Sequence, residues 1–199
     1  IKMKKLLLLI VLFITATLQA QEISYGVKAG LNLSYLRIKD NVLVDSKMKS
    51  GFHIGGVGEM KVSKLFAIET QLLYSQQNSV LEIKLSAFRQ SDSRGSEPVF
   101  EEDLEIDYQL GYLNLPILAK IYIIDGFNVF LGPQFCFLVS DKENYDFKNF
   151  DYGFMGGLGY QLNSGLFFSA NYYYGSSDIS NQKIGIKQEV IQISVGYML

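Results

Sequence analysis

The chain has one cysteine, one histidine, three prolines and no tryptophan among its 199 residues. A lone Cys136 excludes an intrachain disulfide and any multi-cysteine metal site. Within its apolar run it reads as a small packed hydrophobe. His53 alone cannot supply the histidine cluster that a strong metal centre wants. Charged residues are 19% of the chain, below the roughly 25% usual for soluble domains. The net charge is −2, and no basic run follows the first few residues, so the electrostatic footprint of a nucleic-acid binder is missing. No segment after Ala20 is long and apolar enough for a transmembrane helix, and helical periodicity is nowhere convincing.

Glycine, tyrosine and phenylalanine are abundant instead. At the N-terminus, Lys2, Lys4 and Lys5 precede the apolar run Leu6 to Leu18, followed by Gln19-Ala20-Gln21. This order is that of a secretory signal peptide, with cleavage expected between Ala20 and Gln21 and translation expected to start at Met3. No cysteine follows the cut, so no lipid attachment is indicated. Residues 1–20 are read as the signal peptide and 21–199 as one domain.

From Tyr25 to Tyr35 the odd-numbered residues are apolar or aromatic and the even-numbered ones small or polar, and the last segment repeats the pattern from Ile191 to Leu199. A period of two over such lengths predicts strands. Six more are expected at about Gly51 to Val62, Leu65 to Ser79, Glu105 to Ile123, Phe127 to Ser140, Tyr152 to Leu162 and Leu166 to Gly175. Ser63-Lys64, Asp125-Gly126 and Asn163-Ser164-Gly165 are tight turns, the last two with hairpin chemistry. The remaining links, at about Lys39 to Ser50, Val80 to Leu104, Asp141 to Asp151 and Ser176 to Lys187, are long and polar. Short turns on one side and long loops on the other, with even strand parity, predict an all-β fold: an eight-stranded antiparallel up-and-down transmembrane β-barrel, turns toward the periplasm and loops outside.

A soluble barrel shares the strand count but hides its apolar face inside. The polar face carries Lys28, Glu59, Lys61, Glu69, Gln71, Lys120 and Gln134. Lysine on a lipid face costs about 2–4 kcal/mol at the midplane, so in a membrane barrel these residues are expected to point inward and neutralise one another as a lumen network.

Ordered segments also resemble a known family. Tyr25-Gly26-Val27-Lys28-Ala29-Gly30-Leu31-Asn32 is similar to the first strand of PorT-like outer-membrane β-barrel proteins, and the stretch from Phe66 to Gln76 to their third. Tyr112 to Lys120, Gly132-Pro133-Gln134, Gly156 to Tyr160 and Gln192 to Tyr197 continue the likeness over nearly all of the mature chain. The resemblance implies an outer-membrane barrel and, for a few relatives, service in protein secretion. One departure is the end, Tyr197-Met198-Leu199, where barrels often finish on an aromatic residue read by the insertion machinery.

Catalytic chemistry is not apparent. His53 is expected near the extracellular rim, on the face shared with Gly55, Val57, Glu59 and Lys61, in a structural or solvated role. The acidic run Glu101-Glu102-Asp103 lacks the spacing of a calcium loop and reads as a solvated charge cluster. Gly55-Gly56-Val57-Gly58 lacks the lysine and helix of a phosphate loop. No catalytic, metal or cofactor residue is assigned. The expectation is a non-enzymatic barrel that is structural or binds through its outer loops, with a narrow solute channel, a secretion-associated barrel and a lipid-acting enzyme as alternatives. Its expected partners are outer-membrane lipid, the barrel-assembly machinery during biogenesis, and an extracellular or secretion-system protein.

Overall fold

The computed structural model describes residues 22–38, 44–85, 102–142, 147–180 and 185–199. Ala20 and Gln21, the expected cleavage site, lie outside the described residues. The strands in chain order are β1 (Glu22–Ile38), β2 (Val44–Lys61), β3 (Phe66–Leu85), β4 (Glu102–Ile124), β5 (Phe127–Asp141), β6 (Phe150–Gln161), β7 (Leu166–Gly175) and β8 (Ile186–Met198). Each pairs antiparallel with the next, and β8 returns to β1, so the sheet is a closed up-and-down barrel. Closure removes the edges that an open sheet would expose.

Tight turns close one end. Gly126 and Gly165 have φ of 78° and 91°, a backbone region open to glycine without a Cβ penalty. Ser63 Oγ accepts hydrogen bonds from the backbone N–H groups of Leu65 and Phe66 at 3.3 and 3.0 Å, fixing the β2–β3 turn. At the other end the strands run further than their composition suggested. β2 begins at Val44, β3 continues to Leu85 and β4 starts at Glu102, inside the stretches expected to be loops. There the alternation continues, with Leu81, Ile83 and Leu85 set against Glu82 and Lys84 and Leu104 and Ile106 against Asp103, Glu105 and Asp107, within stretches dense in charge.

The ladder does not close on itself at one level. It passes from Lys120 to Phe130, Gly157, Asn171, Gln192, Asn32 and Gly51, crosses a bulge in β2, and returns through Gln77 to Leu110, well above its start on β4. This stagger tilts the strands and stacks inward side chains in layers.

Burial is inside out relative to a soluble barrel. Tyr25, Leu31, Leu131 and Phe154 are 64%, 64%, 63% and 57% exposed, whereas Lys28 and Glu59 are 2% and 1% exposed. The alternation seen in the sequence therefore places its apolar face outward. Tyr25, Tyr160, Phe168 and Tyr197 ring the turn end, and Phe52, Tyr74, Phe137, Phe150, Tyr152 and Tyr174 ring the loop end. From Tyr25 to Tyr35 along β1, a rise of about 3.3 Å per residue and a tilt near about 40° give an apolar band about 25 Å tall. That height matches an outer-membrane span.

A closed ladder resists detergent until it is heated. Protein from a membrane fraction, run on a gel boiled and unboiled, is expected to show two mobilities; a single mobility would contradict closure.

Candidate functional site in the barrel lumen

Glu59 of β2 and Glu69 of β3 are direct cross-strand partners, both pointing inward. Two like charges so placed repel. Lys120 of β4 answers both: its Nζ donates to Glu59 Oε2 at 2.7 Å and to Glu69 Oε2 at 2.8 Å. Tyr122, one inward position below on the same strand, donates its hydroxyl to Glu59 Oε1 at 2.7 Å and lies 3.0 Å from Gln161 Oε1. On the other side Gln71 Nε2 donates to Glu69 Oε1 at 2.5 Å, and Lys28 Nζ donates to Gln71 Oε1 at 3.3 Å. Lys28, Lys120, Glu59 and Glu69 thus sum to zero charge, the condition under which buried ions persist.

Several of these bonds skip a strand. Lys28 of β1 reaches Gln71 of β3 over Gly55 of β2, whose absent Cβ would lie 2.0 Å from Leu72 O. Asn32 of β1 likewise reaches over Gly51 to donate to Ser75 Oγ and Gln76 O, both at 2.9 Å. Inward glycine on β2 therefore makes the room that lets the first strand bond to the third.

Five residues expected in the network, Lys28, Glu59, Glu69, Gln71 and Lys120, are brought together. Lys61 is not, being exposed at the turn end beside a vestibule of about 900 Å³. Gln134 is buried but sits apart, its Nε2 directed at Cys136 Sγ at 3.2 Å. Tyr122 and Gln161 were not anticipated, although both share the parity of the polar face.

His53 also departs from expectation. β2 continues outward to Val44, so His53 lies well within the barrel, opposite Gly30 and Ser75, and is 1% exposed. Its Nδ1 is 2.7 Å from Asn32 Oδ1 and its Nε2 is 2.9 Å from Ser194 Oγ. Since Asn32 Oδ1 only accepts, Nδ1 carries the proton and Nε2 receives the serine hydroxyl. This hydrogen-bond order is that of a serine hydrolase. Here all three groups are buried, and Gln192 donates through Nε2 to the same Asn32 Oδ1 at 3.0 Å while its Oε1 accepts from Asn171 Nδ2 at 2.8 Å. The set ties β8, β1 and β2 together.

Above this level the interior turns apolar. Leu36, Leu81, Leu110, Tyr112, Tyr173, Ile186 and Val190 pack with Phe147 and Ile179, which come from the segments linking β5 to β6 and β7 to β8. Phe147 pairs with Ser180 and meets the Tyr108 ring edge-on at 5.5 Å. The lumen is thus ionic toward the turns on the β2–β4 side and neutral and polar at mid-height, with an apolar cluster that fills the loop end and runs down the β4–β6 wall through Met155, Leu118 and Phe130.

Beyond that closure β2, β3 and β4 continue as a three-stranded protrusion. Lys47 Nζ pairs with Glu82 and lies 3.4 Å from Glu105, and Lys49 Nζ lies 2.9 Å from Asp107. The hydrogen bond to Glu82 leads in holding the Lys47 ammonium above its ordinary pKa. β5 joins β4 only from Leu110 downward, so Glu102–Ile106 pairs with β3 on one side and with no strand on the other among the described residues.

A family model described as outer membrane protein beta-barrel domain matches residues 19–181. The chain belongs to this family. Outer-membrane barrels of Gram-negative bacteria are its setting, with loops outside and turns in the periplasm. Among solved structures, Neisserial surface protein A is similar at 12% identity and a TM-score of 0.53, covering 88% of this chain and 98% of that one. OprG from Pseudomonas aeruginosa matches at 14% identity and a TM-score of 0.49, covering 88% and 95%. Ail of Yersinia pestis, in complex with the heparin analogue sucrose octasulfate, matches at 15% and 0.48, covering 89% and 99%. These likenesses concern the fold. No curated protein matches.

Two outcomes are expected of this outer-membrane barrel. Lys120→Met leaves Glu59 and Glu69 facing each other unpaired and is expected to cost about 3–5 kcal/mol, read as a lower urea midpoint of the gel-resolved folded form. Adding Glu59→Gln should restore part of that loss, and no change in either variant would deny the lysine its bridging role. In planar bilayers the wild-type barrel should carry no sustained current, because the apolar packing closes the extracellular mouth; steady open-channel current would show a continuous aqueous path.

Proposed function

We propose that this protein is a non-enzymatic outer-membrane barrel that captures an extended segment of an extracellular or secretion-system protein on its β2–β3–β4 protrusion. The observation that carries the reading is that Glu102–Ile106 pairs on one side alone among the described residues, which offers backbone donors and acceptors to an added strand. On the protrusion Asp45, Glu82, Glu102, Asp103, Glu105 and Asp107 outnumber Lys47, Lys49 and Lys84, so the fitting segment carries lysine or arginine at alternate positions. The lumen has a structural part in this reading: its ion network and apolar closure hold the protrusion on a rigid base. The Ser194–His53–Asn32 set is assigned to bracing strands.

Within the family, the ordered segments from Tyr25 to Tyr197 favour a PorT-like placement. We further assign residues 1–20 to a signal peptide removed after Ala20, leaving Gln21 at the mature N-terminus. Insertion then falls to the barrel-assembly machinery, with Tyr197 as the aromatic residue it reads.

A labelled peptide alternating lysine and valine tests the edge on intact cells. Saturable binding is expected, lowered about tenfold by Glu105→Lys with Asp107→Lys and abolished when the peptide is N-methylated on alternate residues, since that removes its ladder donors. Binding indifferent to both changes would overturn the strand-addition reading.

A further inference from the structure

At the extracellular end of the seam where β8 meets β1, an outward-facing carboxylate is almost fully covered. The Glu189 side chain is 5% exposed although its position faces away from the lumen. Tyr35 and Tyr172 both donate hydroxyls to its Oε2, and Arg37 Nε lies 3.0 Å from its Oε1. The Arg37 guanidinium in turn lies 4.4 Å from the centroid of the Tyr174 ring. These contacts hold the arginine in one orientation at the top of the aromatic girdle.

Lys187 is the direct cross-strand partner of Arg37. Two cations in that relation repel. Glu189 is the one carboxylate in β7, β8 and the upper part of β1, and it is already engaged by three donors. Asp151 is turned toward the barrel mouth, where it accepts from Tyr173 at 2.7 Å and from Ser177, and it is near enough to Lys187 to balance part of that lysine's charge. Asp178 accepts the backbone N–H groups of Ser180 and Ile186, each at 3.0 Å. Glu189 and Asp151 offset part of the repulsion from the flanks, an anion placed between Arg37 and Lys187 would meet both cations at once, and the height of the pair selects its source. The girdle residues Tyr35 and Tyr174 lie just below, at the boundary of the acyl layer, so the pair stands at the level of the lipid headgroups.

We infer that Arg37 and Lys187 form a binding site for the phosphate of an outer-leaflet lipid, seated against the β1–β8 seam. The arginine supplies an oriented guanidinium suited to phosphate geometry and the lysine a mobile second charge. Acyl chains of such a lipid would run down the apolar face past Tyr172, Leu33 and Ile193, all exposed.

Native mass spectrometry of the purified barrel in detergent tests this with three probes: a phosphorylated lipid A, the same lipid after dephosphorylation, and inorganic phosphate. A one-to-one adduct is expected with the phosphorylated lipid alone, and Arg37→Gln with Lys187→Gln should lower its retention about tenfold. Lys187→Gln by itself leaves the Glu189 contacts intact and should also lower retention, which keeps the test informative if removing Arg37 impairs folding. Variants are first checked for the heat-dependent gel shift. Equal retention by wild type and the Lys187→Gln barrel, or equal binding of dephosphorylated lipid, would overturn the site. Binding of inorganic phosphate as strong as that of the lipid would overturn its assignment to lipid.

Discussion

Glu59 and Glu69 face each other across neighbouring strands in a space nearly closed to water, and the ladder that pairs β2 with β3 gives them no freedom to separate. Only a cation placed between them makes that register tolerable. Lys120 does so from β4, the next strand round, so the charge balance is satisfied only when three strands hold their native stagger. A slip by one residue would turn every side chain of a strand to the other face, stranding charge in lipid. The ion cluster thus contributes to specifying register as well as to filling the interior, and the layers above it inherit their positions from the same stagger.

That arrangement divides the molecule by polarity along its axis. Where the barrel crosses the membrane, apolar side chains outside and neutralised polar side chains inside satisfy lipid and lumen separately. Behind the loop-end aromatic girdle, Tyr112, Tyr173 and their neighbours replace the polar filling with an ordinary apolar core. The protrusion stands on this core, which accounts for how three strands can extend past the membrane without a second sheet behind them.

The strands were legible because a wall between oil and polar interior imposes a period of two over its full height. Their outer extensions were not, since Asp45 to Lys49, Glu82 to Lys84 and Glu102 to Leu104 lie in charge-dense stretches that read as polar loops, although Leu81, Ile83 and Leu104 keep the period of two. The same limit governs the lumen. Parity puts Lys61 and Gln134 on the polar side of their strands, yet alternation carries no record of depth, and depth depends on how far each strand is staggered past the next. Lys61 therefore falls at the open turn end and Gln134 beside Cys136, away from the ions. His53 was misplaced for a related reason: its distance from the rim depends on where β2 begins. The apolar closure escaped notice because Phe147 and Ile179 belong to connecting segments, whose folding back over the mouth no strand pattern encodes.

The contact of Glu189 with Tyr35 and Arg37 joins one of the last strands to be synthesised with the first. Until β8 arrives, Tyr35 and Arg37 lack the Glu189 carboxylate, and β1 and β7 both present raw edges. A chain arrested before Glu189 can form hairpins but cannot seal, and its first strand stays available for pairing with whatever strand is nearest. Sealing therefore acts as a test that all eight strands are present: the wall closes only through β8, and a chain that stops short of it is left as an open sheet.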